Sequence, residues 1–155
     1  MVADPIESAE SVAGSSSSVL EFPAPARRTQ DWRFPSTATS VRGMRRELRS
    51  FLSGSGLPDA EIDDLVLAAC EAAANGVEHA RDPAEPFFDV LAEFHGHRVR
   101  IVVRDYGRWA TGRRDHQGRG RGLRMMSLLA VVSLTSGPLG TSVTLRNFGD
   151  GLRDG

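Results

Sequence analysis

The sequence lacks lysine, has a single cysteine and contains no long hydrophobic run. All 19 basic residues in the 155-residue chain are arginine, which excludes a catalytic lysine. The one cysteine, Cys70, rules out an internal disulfide and is typical of a reducing cytosol. Apolar runs such as the one at residues 128–132 are far too short to span a bilayer. Residues 1–30 have no basic start followed by an apolar stretch, so we expect no secretory signal, no membrane partner and a cytoplasmic location.

Length and charge narrow the class of protein further. A chain of 155 residues supports one domain with a core of its own. The 19 basic and 20 acidic residues leave a formal charge of −1, which argues against a protein built mainly to coat nucleic acid. Arginines crowd residues 113–124, but the segment 59–78 is acidic. We therefore expect no direct nucleic-acid partner.

The two ends of the chain differ in composition from its middle. Residues 1–30 are mostly Ser, Ala, Pro and Glu, with serines at 15–18 and few large apolar side chains. Such a segment cannot bury enough surface to offset its ordering entropy. We expect a disordered N-terminal tail over 1–30, one ordered domain over 31–148 that begins near Trp32, and a flexible C-terminal tail over 149–155.

The spacing of apolar residues predicts three helices and five strands. The helices are expected at 40–53, from Pro58 to about Ala80, and from Leu123 to about Ala130. The second is expected to begin at Pro58 because Pro is favoured in the first turn of a helix. The strands are expected at 32–34, 87–94, 98–104, 131–136 and 142–148. This order predicts an α+β protein, a two-layer sandwich with helices on one face of a mostly antiparallel mixed sheet.

The second predicted helix carries a carboxylate and a carboxamide one turn apart. Glu71 and Asn75 are at positions i and i+4, so their side chains project side by side. One interpretation is an ordinary solvated acidic face of the helix. Asn argues against it, because Asn is a poor helix former at an exposed position in mid-helix.

Two glycine-containing segments follow strands or precede helices. Asp105-Tyr106-Gly107 ends a strand that we expect to be central. There, the Asp can accept a hydrogen bond from an exocyclic amine, and the Gly lets the backbone approach a flat ring. Asp-x-Gly is also common in ordinary turns. Glycines alternate with arginines over residues 118–122, just before the third predicted helix, where free backbone N–H groups suit phosphate oxygens. The alternative is a flexible arginine-rich loop, and the Gly-Lys-Ser/Thr of a Walker loop is absent.

The order of these three motifs is more specific than any one of them. Glu-x-x-x-Asn on a helix, Asp-x-Gly after a strand and Gly-x-Gly-x-Gly before a helix together resemble the ATP-binding fold of gyrase, the heat-shock chaperone and histidine kinases. Within that superfamily, the sequence from Glu71 to Ala80 resembles the anti-sigma factor serine kinases of the RsbW/SpoIIAB type. The resemblance covers about residues 34–148 and implies the histidine-kinase-like ATPase fold.

The resemblance implies a role for each motif in binding ATP and Mg²⁺. Glu71 would orient or deprotonate the attacking hydroxyl, as the catalytic residue. Asn75 would ligate Mg²⁺, which keeps several waters and phosphate oxygens and needs few protein ligands. Asp105 would hold the adenine amine, with Gly107 beside the ring. A lid over the phosphates would be formed by Gly118, Arg119, Gly120, Arg121, Gly122 and Leu123.

The resemblance also implies partners and an activity. The protein is expected to bind a sigma factor and to phosphorylate a serine or threonine on an antagonist (anti-anti-sigma) protein, and relatives of this type are commonly homodimers. A non-catalytic ATP-binding partner-switching module is the alternative, although it would not need Glu71. Trp109 departs from the family pattern, and it either covers the nucleotide or a partner or serves as a hydrophobic plug under the lid.

Overall fold

The computed structural model of the chain describes residues 25–79, 83–107 and 116–149, with residues 116–121 as backbone only. The α-helices and strands within these ranges are β1 (Arg27–Pro35), α1 (Ala38–Leu52), α2 (Asp59–His79), β2 (Phe87–His95), β3 (Arg98–Asp105), α3 (His116–Leu129), β4 (Val131–Gly137) and β5 (Gly140–Arg146). A short 3-10 helix, Ser53–Ser55, follows α1. No helix among these residues is both long enough and apolar enough to cross a membrane.

One sheet contains all five strands, in the order β1-β2-β3-β5-β4. The predicted α+β class is confirmed, and β3 lies at the centre of the sheet as expected. Every strand pairing in the described part of the chain is antiparallel, so the sheet is simpler than the mostly antiparallel mixed sheet that we predicted. The end of β3 lies beside the start of β5, where Asp105 pairs with Thr141.

The helices cover one face of the sheet, and α2 is the central helix of that layer. It contacts α1 on one side, α3 on the other and strands β3 and β5 beneath. Four alanines on α2, at positions 68, 69, 72 and 73, are buried. Their small side chains let the neighbouring elements approach closely. Because α2 is enclosed on several sides, it does not have the two simple faces, one apolar and one polar, that a helix at the edge of a core would have.

Local signals predicted most element boundaries correctly. The first helix begins after Thr37, whose hydroxyl accepts a hydrogen bond from the backbone N–H of Ser40 at 3.2 Å. A polar N-cap of this kind pairs a helix donor that otherwise has no partner. The bounds of α1 and α2 lie close to those predicted. Strands β4 and β5 are joined by a hairpin in which Gly137 pairs with Gly140.

The first strand is longer than predicted. It begins at Arg27, inside the segment that we expected to be a disordered tail. The side chains from Arg27 to Asp31 are exposed, so burial did not signal this part of the strand. Pairing of the backbone with β2 and an ion pair between Arg27 and Glu93, at 2.7 Å, hold it instead. The remainder of the two predicted tails, residues 1–24 and 150–155, lies outside the described residues.

The start of the third helix was also predicted wrongly. We expected α3 to begin at Leu123, after a glycine loop, but it begins at His116 and includes Gly118, Gly120 and Gly122. Glycine in a helix interior costs about 1 kcal/mol relative to alanine, so sequence reasoning places it outside helices. Here the helix uses Gly122 for a close tertiary contact, described below.

Candidate functional site

Glu71 and Asn75 lie on α2 where that helix faces α3. The Asn75 side chain is buried, with 6% of its surface exposed, whereas Glu71 is half-buried. The interpretation of this pair as a solvated acidic face is therefore wrong for Asn75. No group among the described residues hydrogen-bonds the Asn75 carboxamide. A buried amide without a partner costs about 1–3 kcal/mol, and native proteins rarely keep one without a ligand or another reason.

The third helix contacts Glu71 and Asn75 at Gly122, which has no side chain. A β-carbon placed on Gly122 would lie 2.9 Å from Asn75 Nδ2 and 3.0 Å from Glu71 Oε1. Real β-carbons essentially never show a contact under 3.0 Å. Glycine is therefore what allows α3 to come this close. The structure brings Gly122 to Glu71 and Asn75, three residues that the resemblance had placed in one site.

Asp105 approaches the same helix from the sheet. It is the last residue of β3 and is 7% exposed. A β-carbon on Gly76, the residue after Asn75, would lie 3.1 Å from both Cβ and Oδ2 of Asp105. The other carboxylate oxygen, Oδ1, accepts a hydrogen bond from the backbone N–H of Gly107 at 3.1 Å. Asp105 of β3 therefore lies against α2 at Gly76, the residue next to Asn75.

Two residues of β5 also lie against Asp105 and were not predicted as site residues. Thr141 pairs with Asp105 across the sheet and is 1% exposed. Its hydroxyl shares a hydrogen bond of 3.1 Å with the hydroxyl of Ser136. Gly140 has a φ of +136°, and a β-carbon there would lie 2.1 Å from the Asp105 carbonyl oxygen. Glycine and proline at residues 137–140 are typical of a turn, but nothing local to the segment indicates which residue the turn contacts.

A family model for the histidine kinase-like ATPase domain matches residues 34–147. The chain belongs to this family. Its domain is therefore an ATP-binding domain of the histidine-kinase-like type, and the helices and antiparallel sheet described above are the fold of that type.

Solved structures similar to this ATPase domain include a pair of domains from one protein and a histidine kinase domain from another. The first is the crystal structure of the RsbU and RsbW domains of Rv1364c from Mycobacterium tuberculosis, with 27% identity, a TM-score of 0.64 and coverage of 77% of this chain. This chain spans only 32% of that one. The second is the histidine kinase domain of the blue-light activated histidine kinase from Erythrobacter litoralis EL346, with 21% identity, a TM-score of 0.47, and coverage of 73% of this chain and 60% of that one.

For the other predicted site residues of the ATPase domain, the structure describes the side chains of some and only the backbone of others. Gly107 is buried directly after the Asp105 turn. Leu123 is half-buried and packs against the hydrophobic core. The backbone of Gly118 and Gly120 is helical. The side chains of Arg119 and Arg121 lie outside the described residues, as do residues 108–115, which hold Trp109 and three further arginines.

A charged pair, Arg33 and Asp89, lies near the Asp105 turn on the face of the sheet away from the helices. There Asp89 accepts hydrogen bonds from Arg33 and from the Tyr106 hydroxyl. The hydrogen bond from Arg33 is the main reason that the pKa of Asp89 is below its usual range. The hydrogen bond to Asp89 in turn raises the pKa of Tyr106, because ionisation of the phenol would remove its donor.

Cys70, next to Glu71 in the chain, does not have the properties of a nucleophile. It is half-buried, and burial raises the pKa of its thiol. The thiolate, which is the reactive form, is therefore disfavoured. Among the described side chains on and around α2, Glu71, Asn75 and Asp105 remain the residues predicted to act on a nucleotide.

Proposed function

We propose that this protein is an ATP-dependent anti-sigma-type regulator, which binds a sigma factor and phosphorylates a serine or threonine of an antagonist protein. The observation that carries the proposal is the convergence on α2 of Glu71, Asn75 and Gly122, with Asp105 next to them. The similarity to a structure that contains an RsbW domain supports the same class. We further propose that it is a cytoplasmic homodimer.

In this proposal Asp105 selects the base of the nucleotide. Its carboxylate accepts a hydrogen bond from the adenine amine, and Gly107 leaves room for the ring. One oxygen of Asp105 is already held by the Gly107 N–H, which fixes the direction of the carboxylate. A charged acceptor strengthens the hydrogen bond to the base. Guanine carries a carbonyl at the equivalent position and would place two acceptors against each other.

Asn75 is the candidate ligand for Mg²⁺ beside the triphosphate. Its amide oxygen is a hard donor of the kind that Mg²⁺ takes, and Mg²⁺ often uses one or two protein ligands with phosphate oxygens and water. The buried carboxamide, which lacks a hydrogen-bond partner in the described part of the chain, fits this role. When bound, the metal ion would neutralise charge on the phosphates. Gly122 lies against Asn75 without a side chain that would displace the carboxamide.

The phosphate end of the nucleotide is assigned to the first part of α3. We propose that backbone from Gly118 to Leu123 lies over the phosphates, with Gly120 in close approach and Arg119 or Arg121 supplying positive charge. The N-terminal end of a helix favours anions, because its first backbone N–H groups have no partner within the helix, and Gly118 lies in the first turn of α3.

Glu71 is proposed to act on the acceptor hydroxyl. It is half-buried and lies one turn from Asn75, so a serine or threonine hydroxyl placed between them could donate its proton to the carboxylate. The hydroxyl oxygen then bonds to the γ-phosphorus as the bond from phosphorus to the ADP oxygen breaks. Phosphoryl transfer depends mainly on positioning and on charge neutralisation. In this proposal Glu71 positions the hydroxyl, and Mg²⁺ with Arg119 or Arg121 would neutralise the charge on the phosphates.

The proposal is tested by mixing the protein with Mg-ATP and small candidate antagonist domains encoded near it. Intact mass of each domain reports a phosphoryl group, and a phosphorylated serine or threonine is expected in one of them. The matched control is the Glu71→Ala variant, which should bind ATP and leave every domain unmodified. ATP binding by the wild type without phosphorylation of any domain would favour the non-catalytic partner-switching module instead. Failure of the wild type to bind ATP would overturn both functions.

A further inference from the structure

An ion pair crosses from β1 to β2 and continues to Tyr106 on the face of the sheet away from the helices. Arg33 of β1 donates two hydrogen bonds to the Asp89 carboxylate, from Nε to Oδ1 at 2.7 Å and from a terminal nitrogen to Oδ2 at 3.0 Å. The Tyr106 hydroxyl donates to the same Oδ2. Bidentate Arg–carboxylate pairs are geometrically specific. Together, the three side chains connect β1 to the residue that follows β3.

Aromatic and cationic groups hold the Tyr106 ring in place. Its edge meets the Phe87 ring at a centroid distance of 5.3 Å and an angle of 75°. The Arg33 guanidinium lies 3.7 Å from the Phe87 ring centroid, and the Arg104 guanidinium lies 4.9 Å from that of Tyr106. Such contacts favour defined ring orientations. The Tyr106 side chain is therefore fixed along its ring as well as at its hydroxyl.

The backbone of Tyr106 lies between the two residues assigned to the adenine. Asp105 precedes it and Gly107 follows it, and they are joined by the hydrogen bond from Gly107 N–H to Asp105 Oδ1. The Tyr106 carbonyl accepts a hydrogen bond from the Ala84 N–H at 3.0 Å. Successive side chains of a strand point to opposite faces, so Asp105 points toward α2 while Tyr106 points to the outer face. Fixing the Tyr106 side chain restricts the dihedral angles that aim the Asp105 carboxylate.

We propose that Arg33, Asp89 and Tyr106 are positioning residues for nucleotide binding, which hold the Asp105–Gly107 turn in its base-binding conformation from the opposite face of the sheet. This inference rests on the proposed function, in which Asp105 binds adenine. None of the three side chains needs to touch the nucleotide. Pre-organisation of the acceptor lowers the cost of ordering it on binding. Their loss should weaken base recognition more than overall folding.

A second ion-pair network on the same strand provides a matched control. Glu93, four residues after Asp89 on β2, pairs with Arg27 at 2.7 Å and with Arg100 at 2.6 Å. It lies on the same outer face, with one partner from β1 and one from β3. Arg100 is about 16 Å along β3 from Asp105, at the usual rise of a strand. Loss of the Glu93 charge should therefore affect the sheet in a similar way and leave the turn unaffected.

The test compares Tyr106→Phe, Asp89→Asn and Glu93→Gln by titration with ATP and GTP, alongside thermal melting. Tyr106→Phe removes only the hydroxyl and keeps the ring. We expect Tyr106→Phe and Asp89→Asn to lose ATP affinity by about three- to tenfold, the usual scale for one hydrogen bond. Selectivity for ATP over GTP should narrow by a similar factor. Glu93→Gln should keep the ATP affinity and the selectivity for ATP over GTP within about twofold of the wild type, even if its melting temperature falls.

The outcomes separate this inference from the proposed function. One outcome is that Asp105→Asn loses selectivity for ATP while Tyr106→Phe and Asp89→Asn keep it. In that case the positioning role of Tyr106 and Asp89 is overturned, and the assignment of Asp105 to the adenine is kept. If Glu93→Gln loses selectivity as much as Asp89→Asn does, the effect comes from the sheet in general, and the inference is again overturned. If Asp105→Asn itself keeps the selectivity of the wild type, the base assignment fails, and this inference fails with it.

Discussion

Gly122 of α3 and Asn75 of α2 are so close that a single methyl group between them would lie 2.9 Å from the Asn75 amide nitrogen. The atoms that a β-carbon would meet are the far ends of the Asn75 and Glu71 side chains. Both ends can rotate away, so the fold should accept a small residue at position 122. The position of the two functional groups, in contrast, should change.

Gly122→Ala is therefore expected to fold and to bind Mg-ATP more weakly, by about tenfold if one contact of about 1.4 kcal/mol is lost. The control is Gly43→Ala in α1, where nothing lies within 4 Å of the added carbon. That substitution should stabilise the protein by about 0.5–1 kcal/mol, because alanine loses less backbone entropy in a helix, and ATP affinity should not change. The measurements are thermal melting and ATP titration of both variants. Unchanged ATP affinity in Gly122→Ala would show that the closeness of the two helices has no role in binding.

Asp105→Asn is expected to weaken ATP binding without unfolding the protein. The substitution keeps the size of the side chain and removes the charge that strengthens a hydrogen bond to the adenine amine, a loss of about 1–3 kcal/mol. Wild-type protein should bind GTP poorly. The measurement is the affinity for ATP and GTP by calorimetry, with circular dichroism to check the fold. Equal affinity of the wild type for the two nucleotides would contradict the assignment of Asp105.

Glu71→Ala and Asn75→Ala are expected to affect different steps, the first phosphotransfer and the second the binding of Mg-ATP. Glu71→Ala should still bind Mg-ATP, while phosphotransfer falls on the order of 10²-fold or more, the usual scale for a positioned base. Affinity for the nucleotide should hold or rise slightly, since a carboxylate near a triphosphate is repelled by it. Asn75→Ala should lose the metal ligand, so Mg²⁺ no longer improves ATP affinity, and both binding and turnover fall.

The measurement is ATP affinity with and without Mg²⁺, together with phosphotransfer, for both variants. If binding to a sigma factor depends on ATP, it should survive in Glu71→Ala and fail in Asn75→Ala. Identical behaviour of the two variants, or full phosphotransfer by Glu71→Ala, would mean that the pair has no division of roles.

Stability at acid pH should depend on the two carboxylates of β2. The pKa of Asp89 is lowered mainly by its hydrogen bond from Arg33, and the pKa of Glu93 mainly by its hydrogen bond from Arg27. A group whose pKa is lower in the folded state stabilises the protein fully above its unfolded pKa and loses that contribution as pH falls through the folded value. The melting temperature of the wild type should therefore fall as pH drops below about 4.

Asp89→Asn and Glu93→Gln should each show a shallower decrease over that acid range, because each removes one titrating carboxylate. Melting curves between pH 3 and pH 7 check this expectation. A variant that has the same acid profile as the wild type would show that its carboxylate contributes nothing to the pH dependence of stability.

Local patterns in the chain were enough to specify most of the secondary structure. In β3, the side chains of Val99, Ile101 and Val103 are buried, which agrees with the apolar spacing that predicted a strand there. The apolar spacing in α1 and α2 predicted those helices because both patterns depend only on residues a few positions apart. The same locality explains the two wrong boundaries. Residues from Arg27 to Asp31 form a strand through backbone pairing with β2, and their exposed polar side chains carry no such pattern.

Motif order likewise predicted that Glu71, Asn75, Asp105 and Gly122 belong to one site, but not how they meet. Asn75 is buried because α3 lies against it, and Gly122 is helical although glycine disfavours a helix interior. In each case a tertiary contact outweighs the local preference of the residue.

Contacts between distant segments were decided by the tertiary structure alone. Gly140 and Thr141 lie against Asp105, and Arg33 reaches Tyr106 through Asp89. Strand order and register bring these residues together from positions far apart in the chain. Helix and strand periodicities arise from geometry that repeats within a few residues, whereas strand register depends on how the whole hydrophobic surface of the sheet is covered.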